Sequence, residues 1–157
     1  MKTIISPAEA VALAWGTGEY MPPEAISESD IAAAQRRYIE PVIGRPLAEA
    51  LAAGRYEELR AEYAAPALAM FVRLAVQPSL DIRTGCAGSV VQSGAYADPA
   101  GSEARAAAMR SLRRRGGALL RRLSERLDAS PAAYPEYAPE RNVLKRCSTD
   151  GGIVQIF

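Results

Sequence analysis

Ser102-Glu103-Ala104-Arg105-Ala106-Ala107-Ala108-Met109-Arg110-Ser111-Leu112-Arg113-Arg114-Arg115-Gly116-Gly117-Ala118-Leu119-Leu120-Arg121-Arg122-Leu123-Ser124-Glu125-Arg126-Leu127-Asp128 is the stretch that decides the fold. At about 100° per residue, Ala108, Met109, Leu112, Gly116, Leu119, Leu120, Leu123 and Leu127 share one apolar arc. Arg110, Arg113, Arg114, Arg115, Arg121 and Arg122 cover the other side. This period predicts one amphipathic helix from Glu103 to about Asp128, capped by Ser102 and roughly 40 Å long. Gly116 sits on the apolar side, where a close helix crossing would offset its loss of about 1 kcal/mol in propensity against alanine. Gly117 points to the polar side, and the sequence offers no reason for it.

Upstream, Pro66 opens an apolar run, Ala67-Leu68-Ala69-Met70-Phe71-Val72, continued by Leu74, Ala75 and Val76. A helix apolar nearly all round is one enclosed by its neighbours, so this is the expected central helix and its residues are core. Nearer the start, Ser6-Pro7-Ala8-Glu9 is a capping box with proline at the first helical position, and Gly16-Thr17-Gly18 closes that helix. The segment through Met21-Pro22-Pro23 is expected to be non-helical. Ser27-Glu28-Ser29-Asp30 caps a second helix reaching about Gly44, which Pro41 should kink or end early. Arg45-Pro46 reopens a short helix, Leu47 to Ala53, with Gly54 as its left-handed cap.

Between the central and long helices, from Leu80 to Gly101, the texture changes to Gly, Ser, Thr and β-branched residues, including Ser89-Val90-Val91-Gln92 and Ala95-Tyr96. This predicts a β-hairpin or an extended arm, with a surface loop as the alternative. Beyond the long helix, Ser130-Pro131 stops it and Tyr134 to Pro139 must be extended or turning. Asp150-Gly151-Gly152 signals a turn before Ile153-Val154-Gln155-Ile156-Phe157, an apolar strand needing a partner in the domain or a neighbouring subunit. The expected fold is mainly α: one small helical bundle with a long C-terminal helix, an arm at about 80–101 and a short C-terminal strand. Residues 1–129 form its helical part and 130–157 an extended tail of the same domain.

The chain has 157 residues, 49% of them hydrophobic, which suffices for one ordinary core and argues for a single domain. Histidine is absent, which excludes Ser-His-Asp and Cys-His nucleophiles and most transition-metal sites. No run reaches membrane-span length, and the first residues lack the apolar stretch of a signal peptide, so the expected location is a cytoplasm. Cys86 and Cys147 are then expected as free thiols rather than a disulfide. Gly85-Cys86-Ala87-Gly88 lacks the lysine and Ser/Thr of a phosphate loop, and Asp150-Gly151-Gly152 lacks the other acids of a calcium loop. Glu57, Glu58 and Glu62 share a helix face and read as solvated charge rather than an acid–base pair. No catalytic, cofactor or metal residues are expected, and the chain is not expected to be an enzyme.

The net charge of +1 argues against a protein that coats nucleic acid over its whole surface, yet the arginines concentrate on one helix. That face suits solvent, an acidic protein partner or, non-specifically, DNA. Candidate interface residues are therefore Arg110, Arg113, Arg114, Arg121 and Arg122, with Val90, Val91 and Tyr96 in the arm and Ile153, Val154, Ile156 and Phe157 in the terminal strand.

Ile26-Ser27-Glu28-Ser29-Asp30-Ile31, Arg37-Tyr38-Ile39-Glu40-Pro41-Val42-Ile43-Gly44 and Ala65-Pro66-Ala67-Leu68-Ala69 resemble a group of small proteins from phages and prophages of Bacteroides-type bacteria. Ile82-Arg83-Thr84-Gly85, Arg114-Arg115-Gly116 through Leu123, Asn142-Val143-Leu144 and Cys147-Ser148-Thr149-Asp150-Gly151-Gly152 extend the resemblance over most of the chain. In size and helix order such proteins are similar to head-tail connectors, adaptors that assemble as a ring beneath the portal of a tailed phage. The resemblance implies a small helical bundle with an extended arm, partners among its own copies, the portal and other head-tail proteins, and a place in the host cytoplasm or the virion. A DNA-binding or DNA-packaging accessory protein using the arginine face is the other reading.

Overall fold

A computed structural model describes residues 2–16, 18–85, 88–91, 101–145, 147–150 and 153–156, the strands by their backbone alone. Helix α1, Pro7–Ala14, begins as the capping box requires. The Ser6 side chain accepts from the Glu9 N–H at 3.2 Å, and the Glu9 carboxylate accepts from the Ser6 N–H at 2.9 Å. Pro23 opens a short 3₁₀ turn, Pro23–Ala25, so the proline pair ends an extended stretch rather than excluding all helical geometry. Ser27 and Asp30 repeat the reciprocal cap at the start of α2, Glu28–Ala34.

Pro41 neither breaks nor ends the helix that contains it. The backbone widens into a π-turn, Gln35–Ile39, in which the Glu40 N–H reaches back five residues to the Gln35 carbonyl, and α3, Glu40–Ile43, continues to Gly44. Proline lacks an N–H and its ring crowds the carbonyl four residues back, so one extra residue in the turn relieves both problems. The same device recurs at Pro66. Helix α5, Glu57–Leu59, passes through a π-turn, Arg60–Ala64, where the Ala65 N–H bonds the Arg60 carbonyl, into α6, Ala65–Asp81. In both places the proline stands two residues beyond the π-turn.

Helix α4, Arg45–Ala52, ends in a Schellman motif: Gly54, at φ +87°, donates to the Leu51 carbonyl and Arg55 to that of Ala50. Tyr56 then turns the chain into α5 at φ 54°, the one non-glycine among the described residues with positive φ. Helix α6 is the centre of the molecule, packed on α1, α2 and α7, Ser102–Ala129. Its Ala67, Leu68, Ala69, Met70, Phe71, Val72, Leu74 and Val76 are all buried, whereas Ala75 is exposed. The helix continues past Pro78 to Asp81, so the arm begins at Ile82 rather than Leu80.

On α7, Leu112, Gly116, Leu120, Leu123 and Leu127 are buried, and the fully enclosed Leu123 and Leu127 each contribute about 1.5–3 kcal/mol by apolar burial. Two expectations at its start fail: the N-cap is Gly101, with no side-chain cap from Ser102, and Ala108 is exposed. The first turns of α7 stand only partly against the body. Gly116 marks the close crossing with α6, since a Cβ there would lie 3.1 Å from the Phe71 ring. That ring is itself stacked on Tyr38, centroids 4.2 Å apart and planes 7° from parallel.

Strands β1, Ile82–Gly85, and β2, Gly88–Val91, form an antiparallel hairpin in register Ile82 with Val91 to Gly85 with Gly88. Strands β3, Cys147–Asp150, and β4, Ile153–Ile156, form a second, separate hairpin. The terminal strand therefore pairs with its own upstream neighbour. The expected extended tail from 130 is not extended as far as 145: it folds into three 3₁₀ turns, Pro131–Ala133, Pro139–Arg141 and Val143–Lys145, with Tyr134, Tyr137 and Asn142 buried.

Candidate functional site

The surface with chemistry to offer is the outer side of α7. Arg110, Arg113, Arg114 and Arg121 are exposed and lie on an arc of roughly 100°, spread over roughly 16 Å of helix. Among the described residues no carboxylate pairs with any of them. Arg122 and Arg126 of the same helix are engaged, whereas Arg105 and Arg115 face α1. The Arg122 guanidinium lies 4.9 Å from the centre of the Tyr63 ring, and Arg126 reaches Glu58 at 3.6 Å. Gly117 sits within the free arc, between Arg114 and Arg121, and a Cβ there would meet nothing within 4 Å. Helical period placed these side chains correctly, but it could not separate the engaged cations from the free ones, because the partners come from α5 and its π-turn.

The hairpins account for the other candidates in part. Val90 and Val91 stand in β2 opposite Arg83 and Ile82. Ile153, Val154 and Ile156 stand in β4 opposite Asp150, Thr149 and Cys147. Tyr96 and Phe157 lie outside the described residues, as does Cys86. Each hairpin has two strands, so among the described residues both outer edges carry unpaired backbone groups.

Glu57, Glu58 and Glu62 do not act as a set. Glu57 binds Arg60, whose guanidinium also bonds the Ile4 carbonyl at 3.1 Å and Glu9 at 3.0 Å, tying α1 to α5. Hydrogen bonding to Glu57, and then to Glu9, pushes Arg60 above its usual pKa against the opposing effect of burial. Arg73 does the same at the other end of α1, where it bonds the Ala14 carbonyl at 2.6 Å, pairs with Glu19 and covers Trp15 at 5.1 Å. The Arg73 hydrogen bonds, with the Gly16 N–H next, hold the Glu19 carboxyl at about 2.

Sequence reasoning missed two buried amides. Asn142, fully buried, donates to Ser124 at 2.7 Å and to the Tyr137 hydroxyl at 2.9 Å, and accepts from the Leu144 N–H at 3.0 Å. The Tyr137 hydroxyl in turn donates a hydrogen bond to Asp128 at 2.9 Å, and Lys145 closes the cluster on Asp128 at 2.6 Å. Burial pushes the Tyr137 hydroxyl above its usual pKa. Gln35, in the first π-turn and 1% exposed, accepts from the Ile4 N–H at 3.0 Å. A buried amide has no periodic signature, so only the assembled neighbours reveal it. Both clusters are structural, and among the described residues no three Asp, Glu or Cys side chains converge as metal ligands would.

A family model matches residues 31–146, which covers the free arginine arc and the Asn142 cluster. The chain belongs to the DUF6712 family. That family is described as one of unknown function, and the match excludes α1 and the β3–β4 hairpin of this member. No curated protein and no solved structure matches this DUF6712 chain.

Proposed function

We propose that this DUF6712 protein is a non-enzymatic virion-assembly protein of a phage or prophage, a head-tail connector that binds the portal and its own copies. The observation that carries the reading is the exposed arc of Arg110, Arg113, Arg114 and Arg121, unpaired among the described residues, with Gly117 within it. Glycine inside a helix costs about 1 kcal/mol against alanine, and no packing among the described residues requires it there. A partner that lays its backbone close to the helix does require it, and an acidic partner surface neutralises the arginines around it. The open edges of the two hairpins support the same reading, because a neighbouring copy can add a strand to either. Such a protein would reside in the bacterial cytoplasm before assembly and in the particle afterwards; no helix among the described residues is long and apolar enough to cross a membrane.

The test is the mass of the purified protein by light scattering, alone and with isolated portal. Because Asn142 is buried, a useful truncation removes only residues 147–157. A ring-sized species in the intact chain, lost on that truncation or in Arg113→Glu with Arg114→Glu, is the expected result. A monomer that ignores the portal would overturn it. The second reading, a DNA-packaging accessory protein, draws on the same arginines, and predicts DNA affinity falling steeply with salt, with a slope reduced by about one for each arginine removed.

A further inference from the structure

We infer that the groove between the end of α1 and the first half of α7 docks a short acidic segment of a partner protein, with an apolar side chain set between its carboxylates. The groove has a volume of about 550 Å³ and is floored by Leu13, Trp15, Met70 and Leu112. Leu13 is 41% exposed, so part of this apolar floor faces solvent. Charge selects the occupant. Three arginines, Arg73, Arg105 and Arg115, line the groove against one carboxylate, Glu19, which is already held by Arg73 and the Gly16 N–H. Neither Arg105 nor Arg115 makes an ion-pair contact among the described residues, although Arg115 also acts on Glu19 through space, and with three cations against one carboxylate the lining carries a surplus of two positive charges.

Spacing narrows the occupant further. Ten residues of helix place Arg105 and Arg115 roughly 15 Å apart along α7, the reach of about four to five residues of extended chain at 3.3 Å each. A single small carboxylate would satisfy one arginine and leave the floor uncovered. A phosphate backbone has no use for the apolar floor, whereas an acidic segment with a leucine or phenylalanine at its centre fills both requirements. The groove lies on a different side of α7 from the arc formed by Arg110, Arg113, Arg114 and Arg121, so the inference does not depend on the connector reading.

Trp15 is the chain's one tryptophan and lies in the groove, so its emission reports occupancy. The full chain is titrated with the blocked peptide Asp-Glu-Leu-Phe-Glu-Asp, followed by Trp15 fluorescence and by calorimetry. The expected result is saturable one-to-one binding, weakened at least tenfold by Arg105→Gln with Arg115→Gln, and by the neutral peptide Asn-Gln-Leu-Phe-Gln-Asn. Leu13→Ser, which removes floor without touching charge, also weakens it, while Arg113→Glu with Arg114→Glu leaves it within twofold. Circular dichroism shows that each variant is folded. Absence of saturable binding by calorimetry, equal binding of the neutral peptide, or tighter binding of oligothymidine would each overturn the inference.

Discussion

Adjacent glycines on α7 should respond in opposite directions to the same substitution. At Gly117 the helix is open, and alanine removes a conformational cost without meeting any atom within 4 Å, so Gly117→Ala should stabilise by about 0.5–1 kcal/mol. At Gly116 the same gain in propensity is available, but the new methyl would lie 3.1 Å from two carbons of Phe71. That ring has little room to move, because it is stacked on Tyr38 with centroids 4.2 Å apart and is 4% exposed. Overpacking of this kind costs about 1–3 kcal/mol, so Gly116→Ala should be net destabilising by about 1 kcal/mol. The two variants should then differ by about 2 kcal/mol, or about 4–8 °C in Tm for a chain of this length. Thermal and urea unfolding followed by helical circular dichroism measure this directly. Equal shifts in the same direction would refute the account of the α6–α7 crossing, and a Gly117→Ala variant that is more stable yet assembles normally would remove the glycine argument from the connector reading.

Asn142→Ala should cost about 2–3 kcal/mol, since it leaves the Ser124 and Tyr137 hydroxyls without their buried partner, and limited proteolysis should then cut within 130–146. Gln35→Leu should cost about 1–3 kcal/mol by orphaning the Ile4 N–H, seen as faster hydrogen exchange at that amide. Acid should loosen α1 from α6. Glu19 titrates at about 2 in the folded chain against an ordinary 4.5, so its contribution is complete above about 4.5 and is lost as pH falls towards 2. Glu9, held below its usual pKa by the Ser6 N–H first and Arg60 after it, acts in the same direction. Glu19→Gln should therefore flatten the stability–pH curve in that window, and an unchanged curve would count against the Arg73–Glu19 pair.

Local chemistry in the sequence determined a good deal here: capping boxes at Ser6 and Ser27, the left-handed stop at Gly54, the apolar central helix and the single apolar stripe of α7. Each depends on residues within one or two turns of each other, which is the range over which sequence speaks without a fold. The tertiary structure decided the rest. Pro41 read as a kink or an early end and Pro66 as the opening of the central helix, yet π-turns carry the chain helically through both, because packing of Ile39, Val42 and Leu68 into the core outweighs the local irregularity. The tail read as extended, yet Asn142 and Tyr137 fasten it to Ser124 and Asp128 on α7 through hydrogen bonds whose partners lie up to 18 residues apart. The same applies to the surface: all the α7 arginines look alike in sequence, and the positions of Tyr63 and Glu58 on the neighbouring α5 to α6 segment, together with the groove beside α1, separate the engaged from the free. Pairing across elements depends on where the backbone brings distant residues, and that is a property of the packed chain rather than of any window within it.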